Sequence, residues 1–257
     1  MSDVESSERH SAATVNGLEA RNRELQRALQ AANQEIDSLS YSIAHDLRTP
    51  LLHIDGFAQL LGQSAKTVLD GESCGHLARI VKAAKSMQER IEALLGYAKV
   101  SRTELVFAEI DLEDLLDAAL AAVRLATKGR SIQWARTRLP RVFADAAMLL
   151  DVFVNLLANA VKYTRGRDPA IIEIGTRGES AGEVTVFVRD NGVGFDLKYA
   201  SRLFSPFQRM HSTDLFQGAG MGLAKVRRII VRHGGAVRVE AAVDQGATFF
   251  FSLPTGS

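Results

Sequence analysis

One cysteine, Cys74, in 257 residues rules out any disulfide within the chain and fits a reducing compartment. Neither sign of charge prevails. Thirty-one Lys and Arg against 30 Asp and Glu leave +1, so no overall field draws the chain to nucleic acid or anionic membrane. No run approaches the roughly 20 uninterrupted apolar residues needed to span a bilayer. The start, Met1-Ser-Asp-Val-Glu-Ser-Ser-Glu, lacks the basic-then-apolar order of a secretion signal. These absences predict a cytoplasmic protein that neither binds nucleic acid nor inserts into a membrane. What is present is ordinary for a globular protein: 46% apolar and 24% charged residues, in a chain long enough for two modest domains.

Residues 1–16 are polar and Ser-rich, and read as a disordered tail. From Leu18 a seven-residue repeat begins, with Leu18, Leu25, Ala32 and Leu39 in one row and Asn22, Leu29, Ile36 and Ile43 in the other. Such alternation predicts a coiled coil. The helical pattern runs on to about Leu61, with Pro50 expected to loosen one turn because it cannot donate to the carbonyl of Asp46. After Asp70-Gly71 a second helix is predicted from Cys74 to Val100, with Leu77, Ala84, Ile91 and Ala98 in one row and Ile80, Met87 and Leu94 in the other. Together these helices make an antiparallel hairpin over residues 17–102, whose thin core predicts a four-helix bundle as a dimer.

From 103 to 257 strands and helices alternate irregularly. Strands are predicted at 106–111, 132–134, 141–143, 171–175, 183–189, 236–241 and 247–253. Helices are predicted at 112–126, with Asp111 as N-cap, and at 146–163 and 221–233. The pattern reads as an α/β sandwich with helices on one face of a mixed sheet. The fold class of the whole is α+β.

Four clusters carry chemistry. In His45-Asp46-Leu-Arg-Thr49-Pro50, His45 falls off the helical seam and should face solvent. Its neutral imidazole has a lone pair for attack on phosphorus, and Asp46 can take the proton of the other ring nitrogen. Thr49 lies one turn on, able to orient a water. Taken alone, the pair reads more readily as an exposed pair with no role. Next, Asn155 and Asn159 project from one face of an apolar helix and need polar partners. Nucleotide phosphates and a hydrated Mg²⁺ would serve, with Lys162 adding charge; bridges to neighbouring loops would serve too. In Asp190-Asn-Gly192-Val-Gly194, glycines admit a flat ligand and the carboxylate can accept from an exocyclic amine such as that of adenine. Last, Gly218-Ala-Gly220-Met-Gly222 opens a helix, where free N–H groups favour phosphate.

In this order the four resemble the H, N and two glycine boxes of sensor histidine kinases, with Leu203-Phe204-Ser-Pro-Phe207-Gln-Arg209 resembling the F box and Gly246-Ala-Thr248 a late glycine–threonine element. The ATP domain is similar to those of gyrase and MutL, and the stretch His53-Ile-Asp-Gly-Phe57 most resembles kinases related to bacterial phytochromes. The resemblance implies that His45 is the phosphoacceptor, Asp46 its base and Thr49 a support for phosphatase action on a partner. It implies ATP and Mg²⁺ as cofactors, Asn159 as the metal ligand and Asn155 and Lys162 on the phosphates. Asp190 would hold adenine, with Tyr163 and Thr248 nearby, and Arg209 would reach the γ-phosphate from a mobile lid.

The implied activity is autophosphorylation followed by transfer to an aspartate of a response-regulator receiver domain. Its alternatives are a phosphatase-biased enzyme and a catalytically silent dimeric scaffold. Met221 and Lys225 depart from the expected glycine-box pattern, and Asp151 places an extra negative charge near the phosphates. The short stretch before His45 predicts a sensory domain that is separate or missing.

Overall fold

A computed structural model describes residues 2–65, 68–180, 182–208 and 218–255 of the chain. Arg209 lies outside the described residues, as do the side chains of residues 2–16, Leu18 and Leu29.

Helix α1 spans Ser2–Ser64 and passes through Pro50 without a break. It therefore includes the residues expected to form a disordered tail: residues 2–16 hold neither Gly nor Pro, and extending a formed helix costs little. Helix α2, Gly71–Arg102, starts at Asp70, whose side chain accepts from the Ser73 N–H. The two pack as the predicted hairpin, but along a row the heptad reading did not select in α1. Ala44, Leu51 and Ala58 of α1 and Ala84, Ile91 and Ala98 of α2 are buried, with Ala44, Leu51 and Ile91 in one cluster, whereas Leu25, Ile36, Leu39 and Ile43 stay exposed, with Ile80 and Met87 on α2. Alanines at both ends of the row let the helices approach closely.

The remaining elements are β1 (Ala108–Asp111), α3 (Leu112–Val123), β2 (Ile132–Arg136), β3 (Arg141–Ala144), α4 (Ala146–Tyr163), β4 (Ala170–Ser180), β5 (Glu183–Asp190), α5 (Ala200–Leu203), α6 (Gly222–Arg232), β6 (Val237–Ala241) and β7 (Ala247–Pro254). Strand β1 begins two residues later than predicted because the Val106 N–H donates to Asp145 Oδ2 rather than to a ladder. Asp111 caps α3 as expected, accepting from Glu113 N–H. Asp145 caps α4 through Met148 N–H. The main sheet has the order β2-β4-β5-β7-β6, with β2 and β4 parallel and the other pairs antiparallel.

Alternation along the strands separates the sheet's two faces. Val184, Val186 and Val188 of β5 and Phe249, Phe251 and Leu253 of β7 enter one core with Leu116 of α3, Phe153 and Leu157 of α4 and Ile229 of α6. On the opposite face Phe250 lies beneath the Arg238 guanidinium, 3.9 Å from the ring centroid. Among the described residues α4 is the one helix long and apolar enough to cross a membrane, but Leu149, Val152, Phe153 and Leu156 on it are buried in this core.

Candidate functional site

The C-terminal ends of β5 and α4 and the start of α6 meet around an apolar pocket. Tyr163, Phe195, Leu203, Leu223, Ala247 and Phe249 line it, and Asp190 is its acid. Asp190 is 5% exposed. Its Oδ1 accepts from the Gly192 N–H at 2.8 Å. Burial pushes its pKa up to about 6, against the lowering effect of the Gly192 and Ala247 backbone N–H groups. A buried carboxylate at the bottom of an apolar cleft is an acceptor held ready for a polar ligand edge.

The glycines around it are required by close backbone approaches. Gly194 has φ +56°, and a Cβ there would lie 1.9 Å from the Ala242 carbonyl oxygen. Gly246 has φ +80°, and its Cβ would lie 1.9 Å from the Asp190 carbonyl oxygen. The two strand ends therefore touch backbone to backbone, which opens a flat slot beside Asp190 and Tyr163.

Asp151, Asn155, Asn159 and Lys162 follow one another along α4 at helical spacing and are all partly exposed. Asn155 Nδ2 donates to the Asp151 carbonyl at 2.7 Å. A Cβ on Gly222 would lie 2.6 Å from Asn155 Oδ1, so the start of α6 rests on that amide. Lys162 Nζ lies 4.4 Å from the Tyr163 ring centroid and 3.6 Å from where a Cβ on Gly218 would be. The structure thus places Tyr163, Asp190 and Gly194 in the pocket wall, Gly192 against Tyr163 and Asp190, Lys162 beside Tyr163 and Gly218, and Asn155 against Gly222, with Gly220 on the segment between the last two glycines, at φ +74°.

One expectation needs correction. Thr248 sits between Ala247 and Phe249, both of which line the pocket, so its side chain points to the other face of the sheet. There its hydroxyl accepts from Arg189 Nε at 3.3 Å. Ala247 is the residue of this element that meets the pocket.

Arginines that carried no sequence signal hold the cleft in shape. Arg167 Nη2 donates to the carbonyls of Gly192 at 3.1 Å and Asp244 at 3.0 Å, joining the two loops that flank the slot. Arg130 donates to the carbonyls of Val161 at 2.6 Å and Thr164 at 2.8 Å, closing the C-terminal end of α4 next to Tyr163. Its partners lie more than 30 residues away, where local pattern reveals nothing.

His45 belongs to a different element. It stands on α1 with a 68% exposed side chain, its Nδ1 3.4 Å from Asp46 Oδ1. Nε2 is the ring nitrogen not turned toward that carboxylate. Thr49 is exposed one turn further along.

The chain thus pairs an exposed histidine with a carboxylate neighbour, on a helical hairpin, with a glycine-walled pocket on a mixed sheet, and each part matches a known family. Residues 35–103 match the His Kinase A (phospho-acceptor) domain, and residues 144–257 match the histidine kinase-, DNA gyrase B- and HSP90-like ATPase family. The chain belongs to the histidine kinase family.

Proteins similar to it include cyanobacterial phytochrome A of Nostoc sp., 36% identical over 89% of this chain and 30% of that protein. Another is the methanogenesis regulatory histidine kinase FilI of Methanothrix harundinacea, 35% identical over 88% of this chain and 25% of FilI. The chain therefore spans about a third or less of these two relatives. Among solved structures, full-length ShkA in complex with AMPPNP superposes with a TM-score of 0.62 at 28% identity, covering 86% of this chain and 46% of ShkA.

Proposed function

We propose that the chain is an ATP-dependent protein-histidine kinase that phosphorylates itself on His45 and passes the phosphoryl group to an aspartate of a response-regulator receiver domain. The observation that carries this reading is the pairing of the Asp190 pocket with the exposed His45–Asp46 pair in one chain. The adenine amine would donate to Asp190, and its ring would enter the slot beside Tyr163. Asn155, Lys162 and the start of α6 would meet the phosphates. Asn159 would ligate Mg²⁺, which neutralises charge on the phosphate oxygens.

In the transfer, His45 Nε2 forms the P–N bond as the bond from the γ-phosphorus to the bridging oxygen breaks and ADP leaves. The Nδ1 proton moves toward Asp46, whose Oδ1 faces it. The resulting phosphoramidate can hand its phosphoryl group to a carboxylate. Arg209, placed by sequence alone, is assigned to the γ-phosphate. The exposed row Ile36, Leu39, Ile43, Ile80 and Met87 supports dimerisation through the hairpin of residues 17–102, while residues 103–257 hold nucleotide. A cytoplasmic location completes the reading. Thr49, exposed one turn from His45, supports a second activity, hydrolysis of the phosphoryl group on the bound regulator.

Incubation with γ-labelled ATP and Mg²⁺ tests the reading on wild type, His45→Gln and Asn159→Ala. Acid-labile, base-stable label in wild type alone is the expected result. Binding of ATP without label would leave the phosphatase or scaffold role.

A further inference from the structure

Two residues that depart from the family pattern meet in space. Asp151 lies one turn before Asn155 on α4, on the face that continues to Asn159 and Lys162. Lys225 lies in the first turn of α6, three residues after Gly222. Its Nζ is 2.6 Å from Asp151 Oδ2, and the two side chains are 23% and 46% exposed.

We propose that Lys225 is a positioning residue for the nucleotide phosphates, acting by neutralising Asp151; this rests on the nucleotide reading of the cleft. An unpaired carboxylate one turn from Asn155 would repel every phosphate oxygen brought to that face, in a partly desolvated place where charge interactions are stronger than in water. The ion pair removes that field. It leaves the other attractions unopposed: the Asn155 amide, oriented by its bond to the Asp151 carbonyl, and the free N–H groups at the start of α6. The contact of Gly222 with Asn155 Oδ1 keeps both helices in register for this. A pair serving only to fasten α4 to α6 would have the same geometry, but it would act on any ligand of the pocket alike. The electrostatic role grows with the number of phosphates.

Calorimetric titration of the full chain with ATP, ADP and adenosine separates the two. For Lys225→Met the expected result is roughly 10-fold weaker ATP binding, roughly 3-fold weaker ADP binding and unchanged adenosine binding. Adding Asp151→Asn to that variant restores ATP binding to within about 2-fold of wild type, because the uncompensated charge is gone. Asp151→Asn alone binds ATP as tightly as wild type or tighter, a comparison that stands even where Lys225→Met fails to fold. Equal losses for all three ligands, or a double variant no better than Lys225→Met, would overturn the proposal. Wild-type protein that binds none of the three would overturn the nucleotide reading itself.

Discussion

The Arg228 guanidinium on α6 holds the Asp37 carboxylate on α1 through two hydrogen bonds of 3.0 and 2.9 Å, joining residues 191 positions apart. Asp37 lies seven residues before Ala44, so it continues the row Ala44, Leu51 and Ala58 that packs on α2. Near Asp37 α2 runs out at Arg102, and α6 takes over as its neighbour. Arg228 also stacks on Tyr97 of α2, 4.1 Å from the ring centroid. Arg232 adds a bond of 2.7 Å to the Thr103 carbonyl. The helix whose start borders the pocket is thus fastened along its length to the hairpin that carries His45.

Removing either partner should loosen this junction. Asp37→Ala leaves a mostly buried guanidinium without its carboxylate, at a cost on the order of 1–3 kcal/mol. A double-mutant cycle of Asp37→Ala and Arg228→Ala, read by thermal unfolding, should show coupling of at least about 1 kcal/mol. Strict additivity would mean that the pair does not hold the two parts together in solution.

Asp190 should make adenosine binding depend on pH. Its pKa is raised to about 6, chiefly by burial. The protonated form therefore stabilises the unliganded fold below about pH 4, and that contribution disappears as pH rises through 6. An amine donor prefers the ionised carboxylate, so adenosine affinity should rise between pH 5 and 7 and then level off. Asp190→Asn should bind at least 10-fold more weakly at pH 7 and show no such rise.

His45 and Asp46 are separable. His45→Gln should abolish labelling while leaving ATP affinity unchanged. Asp46→Asn should also bind ATP normally but label roughly 100-fold more slowly, the scale of losing a general base. A rate within about 3-fold of wild type would leave Asp46 without that role.

The placement of Thr248 away from the pocket yields a contrast between neighbours. Thr248→Val should change ATP affinity by less than about 3-fold, since it breaks only the contact with Arg189 on the far face. Ala247→Leu adds volume inside the pocket and should weaken ATP binding by at least about 10-fold. Titration of both variants decides which residue of this strand faces the ligand.

Gly194→Ala tests the slot itself. The left-handed backbone and the clash with the Ala242 carbonyl should together cost roughly 2–4 kcal/mol. Thermal unfolding should drop by several degrees, with adenosine binding lost at temperatures where the chain remains folded.

Much of this molecule is local and was legible in the sequence. The apolar period of residues 146–163 marked α4 to its ends and Asp111 announced the start of α3. His45 is exposed as expected, but its place off the heptad rows was not the reason, since Leu39 and Ile43 on those rows are exposed as well. Periodicity and capping act over a few residues, and so does the glycine pattern around Asp190. Which row of α1 faces α2 was not legible, because several rows are apolar and only the partner helix selects among them. The side of the strand taken by Thr248 depended on register against β5, where Arg189 pairs with it. The partnerships of Lys225 with Asp151, Arg228 with Asp37 and Arg167 with the two loops belong to the tertiary structure alone. In each, the charge is desolvated by segments remote in sequence, and only folding brings its counter-charge or carbonyl within reach.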